Sequence, residues 1–400
     1  MVTIIERPPY DEFRGWMHQI GREAVEPRAA EIDRTGEYPH DVFDRFAAEG
    51  LLALTLPPDL GGPPDAAAPK GVMALTLATE VLSQYSSAAG LMLLLSRLPA
   101  APLLLAGTTE QRRERLIPLG KGETRGAFCM SEPQAGSDVL ALTTHAERIG
   151  DSWRINGRKS WISGAGEADW FVVVATTAPG ERRSDGLRAF VVDRDAPGVR
   201  LATLHDRPAV RGMSLGDLEL ADVVVPEEAR LPGITGLGPL LRGLSTMRPI
   251  VAARGLGLAE AALMAAVEYA ETRSVGDAPV FRQQGVQWRL AQAAADIEAA
   301  RLLVYRAARL VEAGRSGAES AGLLAMAKLQ ATECAVRVSG LATQVFGAVG
   351  SVAGHPVERM YRDARTLTVV EGTSEIQLGI VARALADRTV WWRPRPGGDG

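Results

Sequence analysis

The segment Val370-Glu371-Gly372-Thr373-Ser374-Glu375-Ile376-Gln377 sets a carboxylate on a loop just ahead of a helical pattern. Ile376, Ile380, Val381 and Leu385 form the apolar stripe of that helix. Two uses suit Glu371 there. It can interact with the positive N-terminal end of the helix dipole, or it can project from the loop as a general base, with Gly372 keeping the backbone beside it uncrowded. A second group pairs short hydroxyls with bare or flat neighbours: Ser131 ahead of Ala135-Gly136, and Trp161 beside Ser163. Hydroxyl donors, an apolar wall and a closely approaching backbone suit a bound planar ring. The same residue types also serve as turn serines and a core tryptophan.

Other strings carry less. Gly255-Leu256-Gly257 looks like the start of a dinucleotide fingerprint, but it sits inside a helical pattern and has Glu260 where the third glycine belongs. Gly212-Met213-Ser214-Leu215-Gly216 fits the nucleophile elbow of hydrolases, yet it lies between β-type segments instead of on a strand-to-helix turn. His18, His40, His145, His205 and His355 include no pair at metal-ligand spacing, so no metal is expected.

The elements that must position these groups change along the chain. From about Tyr10 to Gly120, apolar residues such as Val42, Phe43, Phe46 and Leu51 recur at helical spacing, and Leu60 to Ala68 is a loop by composition. From about Arg125 to Pro232 the period becomes that of strands. Asn156-Gly157 marks a hairpin between Trp153-Ile155 and Trp161, and Trp170–Ala175, Ala189–Val192, Leu218–Leu220 and Val223–Val225 read as short strands. From about Leu240 to Arg388 the chain is helical again, with Gln284 to Val311 reading as one helix of roughly 40 Å suited to a bundle. The tail from 391 to 400 reads as a frayed end. The expected domains are therefore 1–124, 125–232 and 233–400.

Composition agrees with a soluble globular protein of this size. Hydrophobic residues make up 46% of the 400 and charged residues 23%, close to the globular average. A net charge of −4 argues against nucleic acid as a partner. Cys129 and Cys334 cannot build a disulfide framework, which points to a reducing compartment. The first residues lack a signal-peptide core. The apolar run from Leu91 to Gly107 is broken by Arg97, Pro99 and Pro102, short of the ~18 residues a membrane span requires. A cytoplasmic protein without a membrane partner is expected.

Four strings in order strengthen one reading. Phe128-Cys129-Met130-Ser131-Glu132-Pro133-Gln134-Ala135-Gly136-Ser137-Asp138-Val139 opens the β region, and Lys159-Ser160-Trp161-Ile162-Ser163-Gly164 follows. Pro356-Val357-Glu358-Arg359 with Tyr361-Arg362-Asp363-Ala364-Arg365 then precedes the Glu371 segment. Together they strongly resemble the acyl-CoA dehydrogenase family, from about Phe13 to Ala386. The resemblance implies a mainly α fold with a central all-β domain: an N-terminal helical domain, a β-barrel-like middle domain and a C-terminal four-helix bundle. It also implies FAD held without a Rossmann fold. The positions that match its flavin contacts are Phe128, Met130, Ser131, Gly136, Ser137, Trp161, Ile162 and Ser163, with Thr373 and Glu375. Arg273, Gln284, Gln344, Val345, Gly347 and Ala348 match positions that complete the AMP half from a neighbouring subunit, so a homo-oligomer, dimer or tetramer, is expected. Arg273 on its own reads equally well as a helix C-terminal cation.

By the same resemblance Glu371 removes the α-proton of an acyl thioester while hydride leaves Cβ for the flavin, giving an enoyl thioester. Ser137, Thr246, Arg248, Val370 and Gly372 match the substrate side. Some relatives carry the base one residue before the arginine that matches Arg248; here that position is Met247, which cannot take a proton. An electron-transfer flavoprotein is the expected acceptor. A flavin oxidase on the same scaffold, a carrier-protein thioester, a different C–C bond, or a non-enzymatic scaffold are the alternatives. Gly276-Asp277, Ala348, Val370 and Met213-Ser214-Leu215 depart from the family pattern and bear on flavin affinity and on which acyl group is used.

Overall fold

The computed structural model describes residues 8–64 and 69–387. Part of the loop expected at Leu60–Ala68, the first seven residues and the tail from 391 lie outside them. Helix α1 (Pro8–Ile20) runs through a π-helical turn into α2 (Glu26–Thr35), followed by α3 (His40–Ala48), α4 (Gly71–Tyr85), α5 (Ser87–Arg97), α6 (Ala100–Ala106) and α7 (Thr109–Gly120). Helix α7 starts on a reciprocal capping box between Thr108 and Gln111.

A seven-stranded sheet follows: β1 (Gly126–Cys129), β2 (His145–Ile149), β3 (Ser152–Ser163), β4 (Trp170–Thr176), β5 (Leu187–Asp193), β6 (Val199–Leu204) and β7 (Leu215–Pro226). The order is β1-β4-β2-β3-β7-β6, with β5 also paired to β4. β4 meets β2 at the single pair His145–Thr176, and the sheet curls at that corner. Two expectations need correction here. The β2–β3 hairpin turns between Ile149 and Ser152, at left-handed Gly150, and not at Asn156-Gly157. Asn156-Gly157 lies inside β3 as a bulge against β7, fixed by Asn156 amide bonds to Asp222 and by Gly157 at φ 150, where a Cβ would stand 2.4 Å from Thr144 Oγ1. The runs Leu218–Leu220 and Val223–Val225 are one strand, β7, carried past Asp222 at φ 53.

The chain returns to helices: α8 (Leu237–Ser245), α9 (Arg248–Thr272), α10 (Gln284–Glu312), α11 (Ala318–Phe346), α12 (Pro356–Leu367) and α13 (Ser374–Ala386). A two-residue hairpin, β8 (Ser274–Val275) with β9 (Ala278–Pro279), joins α9 to α10. Helices α9, α10, α11 and α13 form the bundle, with α4 packed on α9. The Gly255-Leu256-Gly257 string serves this packing: a Cβ at Gly257 would lie 2.1 Å from the Glu80 carbonyl oxygen of α4. Two stretches, Ser87–Ala106 and Leu237–Thr272, are apolar enough to span a bilayer, but most of each is buried among the other helices. One continuous core joins the N-terminal helices to the bundle, and a separate core fills the curled sheet. The functional groups collect where the two meet.

Candidate active site

Glu371 lies between α12 and α13 with φ 54, followed by Gly372 at φ 89. A left-handed non-glycine residue costs about 1 kcal/mol or more, and such strain persists only where the surroundings impose it. They do so here. Lys328 Nζ donates to the Gly372 carbonyl (2.9 Å), and Gln377 Nε2 donates to the Gly372 and Glu371 carbonyls (3.0 and 3.2 Å). Thr373 caps α13 by accepting the Ile376 N–H, and the Ser374 hydroxyl donates to Glu333. With its carbonyls tied back toward α11 and α13, the loop presents the Glu371 side chain to a cleft.

Leu91, Leu94 and Leu95 of α5, Leu98 just after it, Val251 and Val370 form the apolar walls of that cleft. Ser163, Arg207, Arg254 and Glu371 are polar groups that line it. Burial pushes the Glu371 carboxyl above the ordinary range, while Lys328, Arg248 and Arg254 hold it back. Arg248 begins α9 and is itself pulled down to about 10 by burial, opposed by Glu371; its Nη1 has no bonded partner among the described residues. Met247, the preceding position, is wholly buried in the core. Glu371 therefore has no competitor there as a base.

The sheet supplies the opposite side. Ser160 N–H donates to the Ser131 carbonyl (2.9 Å), which brings the loop after β1 against β3. Beneath that contact Lys159 Nζ reaches Glu132 Oε1 (2.7 Å) and the Met130 carbonyl (3.0 Å), with both charged side chains fully buried. Burial alone would raise the Glu132 carboxyl, but the Lys159 ammonium and bonds from Thr143 and Thr144 draw it down to about 2. A second brace holds Trp161. Asp217 accepts the Trp161 N–H (3.2 Å), His205 Nε2 (2.9 Å) and Arg158 Nη2 (2.8 Å). Trp161 stands at φ 63, and its indole stacks on His205 with centroids 4.6 Å apart.

Sequence reasoning gave no role to Glu132, Lys159 or Asp217. The one available hint was a charge, Lys159, in a half-buried strand; Asp217 offered none.

The expected residues are not all brought together. Val370, Glu371 and Ser163 line one cleft, and Gly372 lies in its loop. Phe128 and Met130 are half-buried beside the Ser131 contact. Ile162 turns its side chain into the sheet core, which leaves only its backbone to the site. Gly136 and Ser137 lie on an exposed loop, with open space beside Gly136. Thr246 closes the α8–α9 turn by donating to the Gly243 carbonyl (2.6 Å). Thr373 is spent as a helix cap, and Glu375 is exposed in the first turn of α13.

Arg273, Gln284, Gln344, Gly347 and Ala348 are exposed, and Val345 half-buried, where α9 ends, α10 begins and α11 ends. Phe346 stacks on Tyr269 there at 4.2 Å. The 25 residues of α9 separate this group from Arg248 by about 37 Å. It does not converge on the cleft of its own chain.

The cleft side fits a flavin ring. Trp161 is a large apolar ring left 56% exposed although its backbone is strained to hold it there, and the buried Ser160 hydroxyl beside it has no bonded partner among the described residues.

Comparison with known proteins matches the whole arrangement. The acyl-CoA dehydrogenase N-terminal, middle and C-terminal domains match residues 8–123, 127–223 and 235–386. The chain is 37% identical over 387 residues to the mitochondrial short-chain specific acyl-CoA dehydrogenase of Homo sapiens, covering 95% of this chain and 92% of that one. Butyryl-CoA dehydrogenase from Megasphaera elsdenii superposes with a TM-score of 0.90 at 32% identity, covering 96% of this chain and all of that one. The glutaryl-coenzyme A dehydrogenase complex with glutaryl-CoA gives 0.91 at 31%, covering 96% and 97%. A three-part fold and a glutamate aimed into an apolar cleft beside a braced tryptophan thus accompany end-to-end similarity: the chain belongs to the acyl-CoA dehydrogenase family.

Proposed function

We propose that the cleft dehydrogenates an acyl-CoA thioester between Cα and Cβ, with Glu371 as the base. The observation that carries this reading is a glutamate pinned in left-handed backbone, its carboxyl raised by burial, in a leucine-lined cleft that also holds Ser163 of the flavin-side strand. An α C–H beside a thioester is too weak an acid for a solvated carboxylate at neutral pH. A desolvated one is a stronger base, because losing its charge to a proton relieves the cost of burial. Glu371 takes the α-proton onto its carboxylate. FAD, when bound, would supply the acceptor for the hydride that leaves Cβ, so that the expected product is a trans-2-enoyl thioester.

This chain's residues divide the remaining work. Ser131, Trp161 and Ser163 would hold the flavin ring, Ser131 and Trp161 kept in place by Glu132–Lys159 and by Asp217. Leu91, Leu94, Leu95 and Leu98 exclude water from the acyl chain. Arg248 offsets the Glu371 charge and polarises the thioester end. The electrons would pass on to an electron-transfer flavoprotein.

The test is Glu371→Gln. The variant should bind FAD as tightly as the native protein and bind acyl-CoA, yet fail to bleach the flavin on mixing, with turnover down at least about 10³-fold. Near-native bleaching would remove Glu371 from the role.

A further inference from the structure

We propose that the acyl group this cleft receives carries its own carboxylate, and that Arg254, supported by Arg207, is the residue that reads it. The inference rests on the dehydrogenase reading above and narrows its substrate to a short dicarboxylic acyl thioester.

A cleft built only for a hydrocarbon chain would be lined by apolar groups throughout. This one has leucine walls but two guanidinium groups. Arg254 projects from α9 and is 2% exposed. Its Nη2 donates to the Ser87 hydroxyl (3.0 Å), and its Nε has no bonded partner among the described residues. Arg207 spends Nη2 on the Val210 and Met213 carbonyls (2.9 and 2.8 Å), and its Nε is likewise without a partner. Neither guanidinium forms an ion pair among the described residues.

Three carboxylates lie near these two groups, Asp363 beside both, Glu371 beside Arg254 and Glu167 beside Arg207, and each is committed elsewhere; Glu167 accepts the Ser214 hydroxyl. Asp363 accepts the Val210 N–H at 2.5 Å. Glu371 is the proposed base and becomes neutral when it takes up the α-proton. Lys328 and Arg248 already face Glu371. The two guanidinium groups that line the cleft are thus left without an ion pair and with an unsatisfied Nε each, an arrangement that is costly unless an anion joins it.

The chemistry of that anion follows from the donor. A guanidinium presents N–H groups in a planar fork matched to a carboxylate, and although burial lowers Arg254 to about 10 its charge persists at neutral pH. A methyl-terminated chain would seat hydrocarbon against these donors and leave them unpaired. A chain ending in a carboxylate would satisfy them, with its methylenes against the α5 leucines.

Calorimetric titration of the FAD-loaded Glu371→Gln protein measures binding without turnover. Succinyl-, glutaryl- and adipyl-CoA are to be compared with butyryl-, pentanoyl- and hexanoyl-CoA of equal chain length. At the best-fitting length the dicarboxylic thioester should bind at least about 30-fold more tightly than its methyl-terminated counterpart. Adding Arg254→Gln should collapse that ratio to near one, and Arg254→Lys should retain part of it.

Equal or weaker binding of the dicarboxylic member at all three lengths overturns the proposal, with no variant needed. So does a preference that survives Arg254→Gln in a folded protein. Failure of the native enzyme to bleach its flavin while this selectivity holds would instead count against the dehydrogenase reading and leave the Arg254 assignment standing.

Discussion

Glu371 works under two opposed influences, and their balance can be read from a pH profile. Desolvation raises its carboxyl, while the Lys328 ammonium is the largest influence holding it down. Only the carboxylate accepts a proton, so kcat/KM should rise with pH and level off once the group is ionised. The midpoint of that limb should lie above the ordinary glutamate value near 4.3, and activity should fall about tenfold per unit below it. Lys328→Met removes the cation and should move the limb to higher pH. It also removes the donor to the Gly372 carbonyl, so kcat will fall for geometric reasons as well; the position of the limb, and not the rate, is the readout. A limb that stays put or moves down would show that Lys328 serves the loop's shape and not the charge. Burial pulls Lys328 itself down to about 8, opposed by Glu371 and Glu333.

At the scale of elements, the cleft exists because two strand segments and one helix connection are braced from behind. The ion pair of Glu132 with Lys159 fastens the loop after β1 to β3, at the point where Ser131 and Trp161 are presented. Glu132→Gln should lower stability by about 3–5 kcal/mol, because it strands a buried ammonium. Glu132→Gln with Lys159→Met should cost less than that single change, since neither charge is then left unpaired. Both variants should bind FAD more weakly than the native protein, measured by flavin fluorescence alongside urea denaturation. If the single variant keeps native FAD affinity, the brace does not set the flavin wall.

How much of this was legible beforehand follows the range of the interactions. The helical N-terminal region, the Gln284–Val311 helix and the Glu371 segment carry local signals, and each stands where its spacing puts it. The Asn156-Gly157 hairpin failed because a local turn signal lost to a long-range partner: Asp222, far along the chain, bonds Asn156 and turns the pair into a bulge. Glu132, Lys159 and Asp217 could not be found by period or motif, since their roles arise only when distant strands close on one another. Arg254 was passed over for the same reason, as a charge inside an alanine-rich helix.

The whole molecule poses a problem that a single chain does not solve. Arg273, Gln284 and the Gln344–Ala348 segment gather at the end of the bundle remote from Glu371, with about 37 Å of α9 between them. The bundle also exposes Met264, Trp288 and Leu302 on its helices and Val275, Val349 and Val352 near that remote end. These are the groups that a homo-oligomer of this chain would cover. If a partner brings its Arg273 end to the flavin bound at this chain's Trp161, each site needs Glu371 from one subunit and Arg273 from the other. Mixing then becomes diagnostic. Arg273→Glu and Glu371→Gln homo-oligomers should each be nearly inactive. In a mixed dimer the subunit that keeps Glu371 receives an intact Arg273 from its neighbour, so one site of the two is whole. Random reassembly makes half of the dimers mixed, which restores about a quarter of the native sites. Total flavin content should stay at about half of the sites before and after mixing, because Glu371→Gln does not impair binding and each site follows only the Arg273 it receives, so the gain is in activity alone. Were Arg273 to serve the flavin of its own chain, no mixture would contain an intact site, and activity after co-refolding would stay at the level of the separate variants.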